Sequence, residues 1–316
     1  MRVLFTSVGR RVELMQLFKK AADKLNIDLE VFGADISETA PALFFCDKKV
    51  IVPRINDNAY IPALIDICKN NKIEALIPTI DTDLMLLSEN TSRFQEVGTK
   101  VFISRPDKIA ICRDKNYTSD FFVSCGLNAP KTYNDYSQYD GKFPCFIKPK
   151  DGSSSIDAYK IDTVDELREF ANRVDDYVIQ PFIDGEEYTV DIFCDFDSNP
   201  VFITPRKRLA VRAGEVLKTE IASDDNIVEE CKLLIEKFKP VGAITVQLIK
   251  EKTAGVNYYI EINPRFGGGA PLSIMAGADS AEAVLRIIRG EKLCFSQNAA
   301  EAGAVFSRFD QSVRVR

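Results

Sequence analysis

The stretch that decides how this chain is read is Tyr258–Gly269, YYIEINPRFGGG. It begins as a strand of aromatic and β-branched residues and breaks at Pro264. On a strand, residues i and i+2 point to the same face, so Glu261 and Asn263 project side by side, with Arg265 just beyond. Two hard oxygen donors beside a guanidinium can hold Mg²⁺ against a polyphosphate. They also suit a solvated sheet edge, and the surrounding sequence has to decide. Upstream, AITVQLI (243–249) carries Gln247 near its end. If it pairs with NYYIEIN (257–263) as a hairpin, Gln247, Glu261 and Asn263 share one face. Mg²⁺ takes few protein ligands and completes its shell with substrate phosphates. Arg265 then stands where a guanidinium stabilises charge on a transferring phosphoryl group. The run Gly267–Gly269 lets a substrate approach the backbone closely.

Four earlier motifs bear on the same chemistry. In FIKPKDGSSS (146–155), Lys148 ends a strand and a Gly/Ser loop follows, an arrangement that can aim one ammonium and several N–H and O–H donors at a phosphate. The same residues also make an ordinary β-turn, and no GxxxxGK[ST] loop occurs. In IQPFIDGEEYTVDIF (179–193), a strand reaches Gln180-Pro181-Phe182 and turns at Asp184-Gly185. Backbone groups at such a hinge can pair with the Watson–Crick edge of adenine, and Glu187 can accept from ribose hydroxyls; a hairpin with a solvated acidic start is the plain alternative. RKRLAVR (206–212) is either a solvated basic face or a clamp, in which Arg206, Arg208 and Arg212 hold a substrate carboxylate or phosphate. SVGRR (7–11) lacks GxGxxG and reads as a strand-to-helix turn lining an interdomain cleft.

Composition narrows the function classes. The 316 residues contain no histidine, which removes Ser-His-Asp and Cys-His catalysis and His metal sites. Chemistry is left to Lys, Arg, carboxylates, amides and a bound metal. A net charge of -6 leaves no broad basic face for nucleic acid. No stretch approaches the roughly 20 apolar residues of a membrane span. The N-terminus does not read as a signal peptide, and the eight cysteines are scattered without a CxxC pair. The expectation is a cytoplasmic protein with reduced, buried thiols.

The first third alternates strand-like runs (VLFTS, LEVFGAD, KVIVP, ALIPTID, KVFIS) with helical spacing at 12–25 and 60–71. That is the pattern of a doubly wound, parallel α/β lobe, assigned to 1–105. Beyond it the texture is α+β, with a helix over 112–126, a polar helix over 163–173, a helix over 227–238, and strands that pair antiparallel. The tail 291–316 carries no readable pattern.

The order of these motifs resembles the ATP-grasp superfamily, in its carbamoyl-phosphate-synthase large-subunit-like branch, as a single synthetase unit. The likeness spans about 1–290. It implies a Rossmann-like pre-ATP-grasp lobe (1–105), an ATP-grasp domain (106–290) with a small lid subdomain at about 115–185, and an extension (291–316). It further implies that Lys115 and Lys148 contact ATP phosphates, with Ser154 and Ser155 in the loop that closes over them. Gln180 and the Phe182 backbone hold adenine, and Glu187 holds ribose. Gln247, Glu261 and Asn263 hold Mg²⁺ (or Mn²⁺), and Arg265 faces the γ-phosphoryl. The family's chemistry activates a carboxylate as an acyl phosphate for attack by an amine, with small-molecule substrates and often a homodimer. Two rivals stay open: a nucleotide-binding protein with a degenerate ATP site, and an NAD or nucleotide-sugar enzyme built on the N-terminal lobe.

Overall fold

The structure, a computed structural model, describes residues 1–151 and 157–316. The first lobe contains β1 (Arg2–Thr6), α1 (Val12–Leu25), β2 (Glu30–Asp35), β3 (Lys48–Ile51), α2 (Tyr60–Asn71), β4 (Ala75–Pro78), α3 (Leu84–Glu89), α4 (Thr91–Glu96) and β5 (Lys100–Val101). Its strands form one parallel sheet in the order β3-β2-β1-β4-β5. β4 is buried throughout and β1 is buried beyond Arg2, because helices cover both faces of a parallel sheet. α1 turns Leu14, Met15, Phe18, Ala21 and Ala22 inward, and α2 turns Tyr60, Ile61, Leu64 and Cys68.

The helix expected over 112–126 is chiefly α6 (Lys115–Ser124), and a separate helix, α5 (Pro106–Arg113), precedes it. Asp114 between them is extended, and its carboxylate accepts the Asn116 N–H, so it caps α6 rather than continuing α5. That cap makes Lys115 the first residue of a helix.

A small antiparallel sheet follows, in the order β7-β6-β8, from β6 (Cys145–Pro149), β7 (Tyr159–Ile161) and β8 (Tyr177–Pro181). α7 (Val164–Ala171) lies between β7 and β8 in the chain. Its Thr163 cap accepts the Glu166 N–H while Glu166 Oε2 accepts the Asp162 N–H, a close variant of the reciprocal capping box. Tyr133, Ile147, Ile161, Leu167 and Ile179 form this sheet's own core.

The largest sheet has the order β13-β12-β9-β10-β11-β14. Its strands are β9 (Gly185–Cys194), β10 (Pro200–Arg212), β11 (Glu215–Ile221), β12 (Gly242–Glu251), β13 (Asn257–Asn263) and β14 (Val305–Ser307). One face packs on α8 (Asp225–Phe238) through Ile227, Cys231, Leu234 and Phe238. β11 and β14 were not expected; β14 lies in the tail and pairs with β11, which orders part of 291–316. Finally α9 (Ala270–Met275) and α10 (Ser280–Ile288) return to the first lobe. Val284, Leu285 and Ile287 join Phe5, Phe18, Phe193 and Phe266 in one core, so the two halves of the chain are welded by apolar contact. No described helix is long and apolar enough to cross a membrane. The cysteines are unpaired; five are buried, two are half-buried and Cys294 is exposed, which departs from the expectation of buried thiols throughout.

Candidate active site

A cavity of about 320 Å³ opens between the small sheet and the β12–β13 hairpin. Lys148 on β6 and Gln180 on β8 line one side; Gln247 and Glu261 line the other. The hairpin register places Gln247 directly opposite Glu261 and Thr245 opposite Asn263. Lys115 stands at the mouth, its Nζ donating to the Lys150 carbonyl at 3.3 Å. Burial first and then repulsion by Lys115, opposed by the Glu261 carboxylate, hold the Lys148 ammonium down at about 8. Burial also lowers Lys115, against the pull of Glu261, Asp151 and Asp114. Two ammoniums that burial disfavours, set against the Glu261 carboxylate, form a site that a polyphosphate would complete by pairing with them.

Gln180 is buried and donates its amide nitrogen to Thr132 Oγ1 at 3.1 Å, so its oxygen is the atom left for a ligand donor. Glu187 lines the same cavity and pairs with Arg208 Nε at 3.3 Å. The expectation for Phe182 needs correction: its backbone N–H donates to the Pro144 carbonyl at 3.1 Å and its ring leans on Phe146. The cavity is lined instead by Ile183, the next residue along. Ser154 and Ser155 lie outside the described residues.

A second cavity, of about 380 Å³, adjoins the first and shares Arg208, Gly214, Gln247 and Glu261 with it. Four arginines (11, 206, 208 and 265) face three carboxylates (Asp81, Glu215 and Glu261) across it, a balance that favours an anion. Arg265 donates through Nε (3.1 Å) and Nη2 (2.6 Å) to Asp81 Oδ2, and Nη2 also reaches Asn263 Oδ1 at 3.1 Å. Asp81 thereby aims both the guanidinium and the amide from the opposite lobe.

Arg206 is 1% exposed, and its Nε donates to Asp191 Oδ2 at 2.7 Å. Asp191 also accepts from Ser273 Oγ at 2.6 Å and Thr245 Oγ1 at 3.4 Å. Arg206 Nη1 has no acceptor among the described residues. A buried donor left unpaired costs about 1–3 kcal/mol, and more when it is charged, so this atom is poised for an incoming oxygen.

The glycine run is explained by side chains rather than by substrate. A Cβ at Gly267 would meet Thr245 Oγ1 at 2.6 Å, one at Gly268 would meet Arg11 Nη1 at 2.9 Å, and one at Gly269 would meet Arg206 Nη2 at 2.7 Å. The three residues are small because this cavity's own polar groups crowd them.

The basic run at 206–212 divides. Strict alternation would put Arg206, Arg208 and Arg212 on one face, but the β10–β11 register shifts between Arg208 and Ala210 and again between Ala210 and Val211. Such irregularities re-aim the end of a strand. Arg206 and Arg208 stay in the cleft, whereas Arg212 pairs with Asp310 of the tail at 3.1 Å, outside both cavities, contrary to its expected place in the site. The sequence reading missed Arg11, Asp81, Asp191 and Ile183. The first two sit at strand ends in motifs that had been noticed, SVGRR and ALIPTID; Asp191 stands mid-strand, with no signal to mark it.

The donor set at the hairpin fits a hard cation. One carboxylate and two amides supply oxygen and leave about half of an octahedral shell to phosphates and water.

Comparison with known proteins agrees with this geometry. Residues 3–102 match the family model of the PylC-like N-terminal domain, and residues 112–269, half of the chain, match that of the ATP-grasp domain. The D-alanine–D-alanine ligase of Aquifex aeolicus is 26% identical over 176 residues, 49% of this chain and 59% of that protein. The carbamoyl-phosphate synthase of Methanobrevibacter smithii is 24% identical over 172 residues, 52% of this chain and 46% of that protein. The chain therefore spans about half the length of these relatives. Among solved structures, the biotin carboxylase domain of Hydrogenobacter thermophilus 2-oxoglutarate carboxylase, in complex with MgADP, ADP and bicarbonate, superposes with a TM-score of 0.75 at 16% identity, covering 96% of this chain and 73% of that one. That likeness is one of fold. Parallel lobe, small antiparallel sheet and the β12–β13 hairpin follow the order that the sequence motifs implied, and this protein belongs to the ATP-grasp family.

Proposed function

We propose that this protein is an ATP-dependent ligase that joins a small-molecule carboxylate to an amine by way of an acyl phosphate. The observation that carries this reading is the meeting of two cavities at the Gln247–Glu261 pair, one lined by lysines and the other by arginines. A nucleotide in the first, with its adenine at Gln180 and Ile183 and its phosphates at Lys115 and Lys148, ends its phosphate chain where the second begins. The chemistry then needs positioning and charge stabilisation, which Lys and Arg supply without histidine.

In the first step an oxygen of the acid attacks the γ-phosphorus and the bond to the bridging oxygen breaks, with that electron pair leaving on ADP. Arg265, held by Asp81, faces the phosphoryl oxygens, while Arg206 Nη1 donates to the acid's other oxygen. Amine nitrogen then attacks the acyl carbon, phosphate leaves with the C–O electron pair, and the amine proton passes to solvent. Gln247, Glu261 and Asn263 would hold Mg²⁺, which would supply charge neutralisation for the phosphates; Mn²⁺ would suit the same donors.

The test is hydroxamate formation from a panel of carboxylic acids, with Mg·ATP and hydroxylamine as a generic nucleophile. Wild type should give hydroxamate and ADP together with at least one acid class, and Glu261→Ala should give neither. Turnover unchanged in Glu261→Ala would overturn the metal assignment. Absence of any Mg·ATP binding in the wild type would overturn the ligase reading.

A further inference from the structure

The turn Ser7–Arg11 is pinned more firmly than a connection requires. Ser7 and Gly9 take positive φ (54° and 44°). The Gly9 N–H donates to Asp35 Oδ2 at 2.8 Å, and its carbonyl accepts from the Ala42 N–H at 3.0 Å. This rigid turn sends two consecutive arginines into two different cavities. Arg11 enters the one that holds Arg206 and Arg265. Arg10 lines a third cavity, of about 360 Å³, with Arg212, Arg308, Leu217 and Phe309. Glu215 is a wall of both: Arg11 Nη1 approaches it at 3.9 Å on one side, and Arg308 Nη1 at 3.2 Å on the other.

The third cavity is an incomplete charge system. Arg308 donates to Glu215 and to the Val216 carbonyl, and Arg212 is paired with Asp310. Arg10, exposed at the rim, has no carboxylate within ion-pair distance among the described residues. Leu217 and Phe309 give the cavity an apolar side, and Phe309 is 77% exposed, a large fraction for such a ring. Arg10 also acts on Glu215, which Arg11 and Arg308 share, so the cavity holds three guanidiniums against two carboxylates beside an apolar wall, and this suits the end of a carbon chain that carries an anionic group.

We propose that this cavity is a second anion subsite of the same cleft, for the distal carboxylate or phosphate of an elongated acid whose reacting carboxylate lies against Arg206 and Arg265. The placement of the reacting end rests on the ligase reading; the anion subsite rests on Arg10, Arg308 and Glu215 alone. Glu215 would act as the divider between the two ends, and the substrate class becomes doubly anionic acids rather than monocarboxylates.

The chain has no tryptophan, so Phe309→Trp places a single fluorophore on the cavity wall. Inorganic phosphate should change its emission saturably, and adding Arg10→Glu should weaken that response about tenfold or more. No saturable response, or an equal one with Arg10→Glu, would overturn the subsite. Dicarboxylates from succinate to sebacate then compete with phosphate against monocarboxylates of matching length. One length should compete at a concentration about tenfold lower than its monocarboxylate, because a tethered second group binds intramolecularly, and Arg265→Gln should remove that advantage. If no dicarboxylate has an advantage, the cavity takes a free anion and the substrate assignment falls. Thermal protection by Mg·ATP, measured on the same samples, reports separately on the ligase reading.

Discussion

Raising the pH should weaken ATP binding through one lysine. Lys148 is held at about 8 against an ordinary 10.5 by burial and by Lys115 beside it. At about 1.4 kcal/mol per unit, that shift corresponds to roughly 3 kcal/mol favouring the neutral amine in the empty cleft, an upper figure because the side chain keeps partial contact with solvent. A polyphosphate reverses the balance by pairing with the ammonium. Binding therefore requires a proton that Lys148 already carries below pH 8 and must take up above it. The apparent Kd for ATP should be nearly level from pH 7 to 8 and about tenfold weaker by pH 9, a cost of about 1.4 kcal/mol. Titration calorimetry of a non-hydrolysed ATP analogue with Mg²⁺, in two buffers of different ionisation heat, reads both the Kd and the proton uptake. Lys148→Arg keeps the charge at every pH and should flatten the curve, any residual slope belonging to Lys115. Lys148→Met should weaken binding by about 10- to 100-fold at pH 7, the worth of a charge-assisted hydrogen bond, and flatten it too. A level wild-type curve with no proton uptake at pH 9 would refute the reasoning, because it would mean that Lys148 is neither buried nor beside Lys115. Stability carries the same linkage with its own sign. The unfolded chain binds the extra proton between about pH 8 and 10.5, so the Lys148 contribution makes the fold more stable as pH rises through that window.

Asp83 offers the opposite sign. It is fully buried, accepts from Thr6, Tyr60 and Ser7 through one oxygen, and is pushed up by burial to about 6. Its contribution is present in full below about pH 4 and lost as pH rises through 6, so Asp83→Asn should flatten the pH 4–7 profile of chemical denaturation relative to wild type by up to about 3 kcal/mol; coincident profiles would contradict this. Arg206→Leu strands the Asp191 carboxylate among Ser273 and Thr245 and should cost about 3–5 kcal/mol in urea denaturation, whereas Arg206→Leu combined with Asp191→Leu should recover part of it. Gly269→Ala puts a methyl at 2.7 Å from Arg206 Nη2; displacing that guanidinium should raise KM for the acid with little change in KM for ATP, and equal effects on both would show that the crowding does not act on the acid cavity.

Much of this architecture is written in local pattern. The parallel lobe follows from buried apolar runs alternating with helical spacing, because a strand covered on both faces cannot alternate polar residues. The Gln247–Glu261 pairing follows from period-2 geometry once the two strands form a hairpin. A helix was readable over 112–126, yet not its start at Lys115, because Asp114 is as legible as a mid-helix carboxylate as it is as a cap; only the extended backbone at that residue decides. Phe182 and Ile183 are equally apolar neighbours in sequence, and the Pro144 carbonyl, brought alongside by β6–β8 pairing, is what removes the first from the cavity.

The sequence by itself determined the class of chemistry: a chain with no histidine, a lysine at a strand end and an E-x-N-P-R strand end is limited to charge and positioning, and its motif order implied the ATP-grasp fold. Tertiary structure alone decided which charges meet. Arg265 finds Asp81, 184 positions away in sequence, and Arg206 finds Asp191 across neighbouring strands, while two register irregularities turn Arg212 out toward the tail. Alternation and capping are properties of a few consecutive residues and can be read from them. Ion pairing between lobes depends on how helices α1 and α10 bury their apolar faces together, a long-range condition with no local trace.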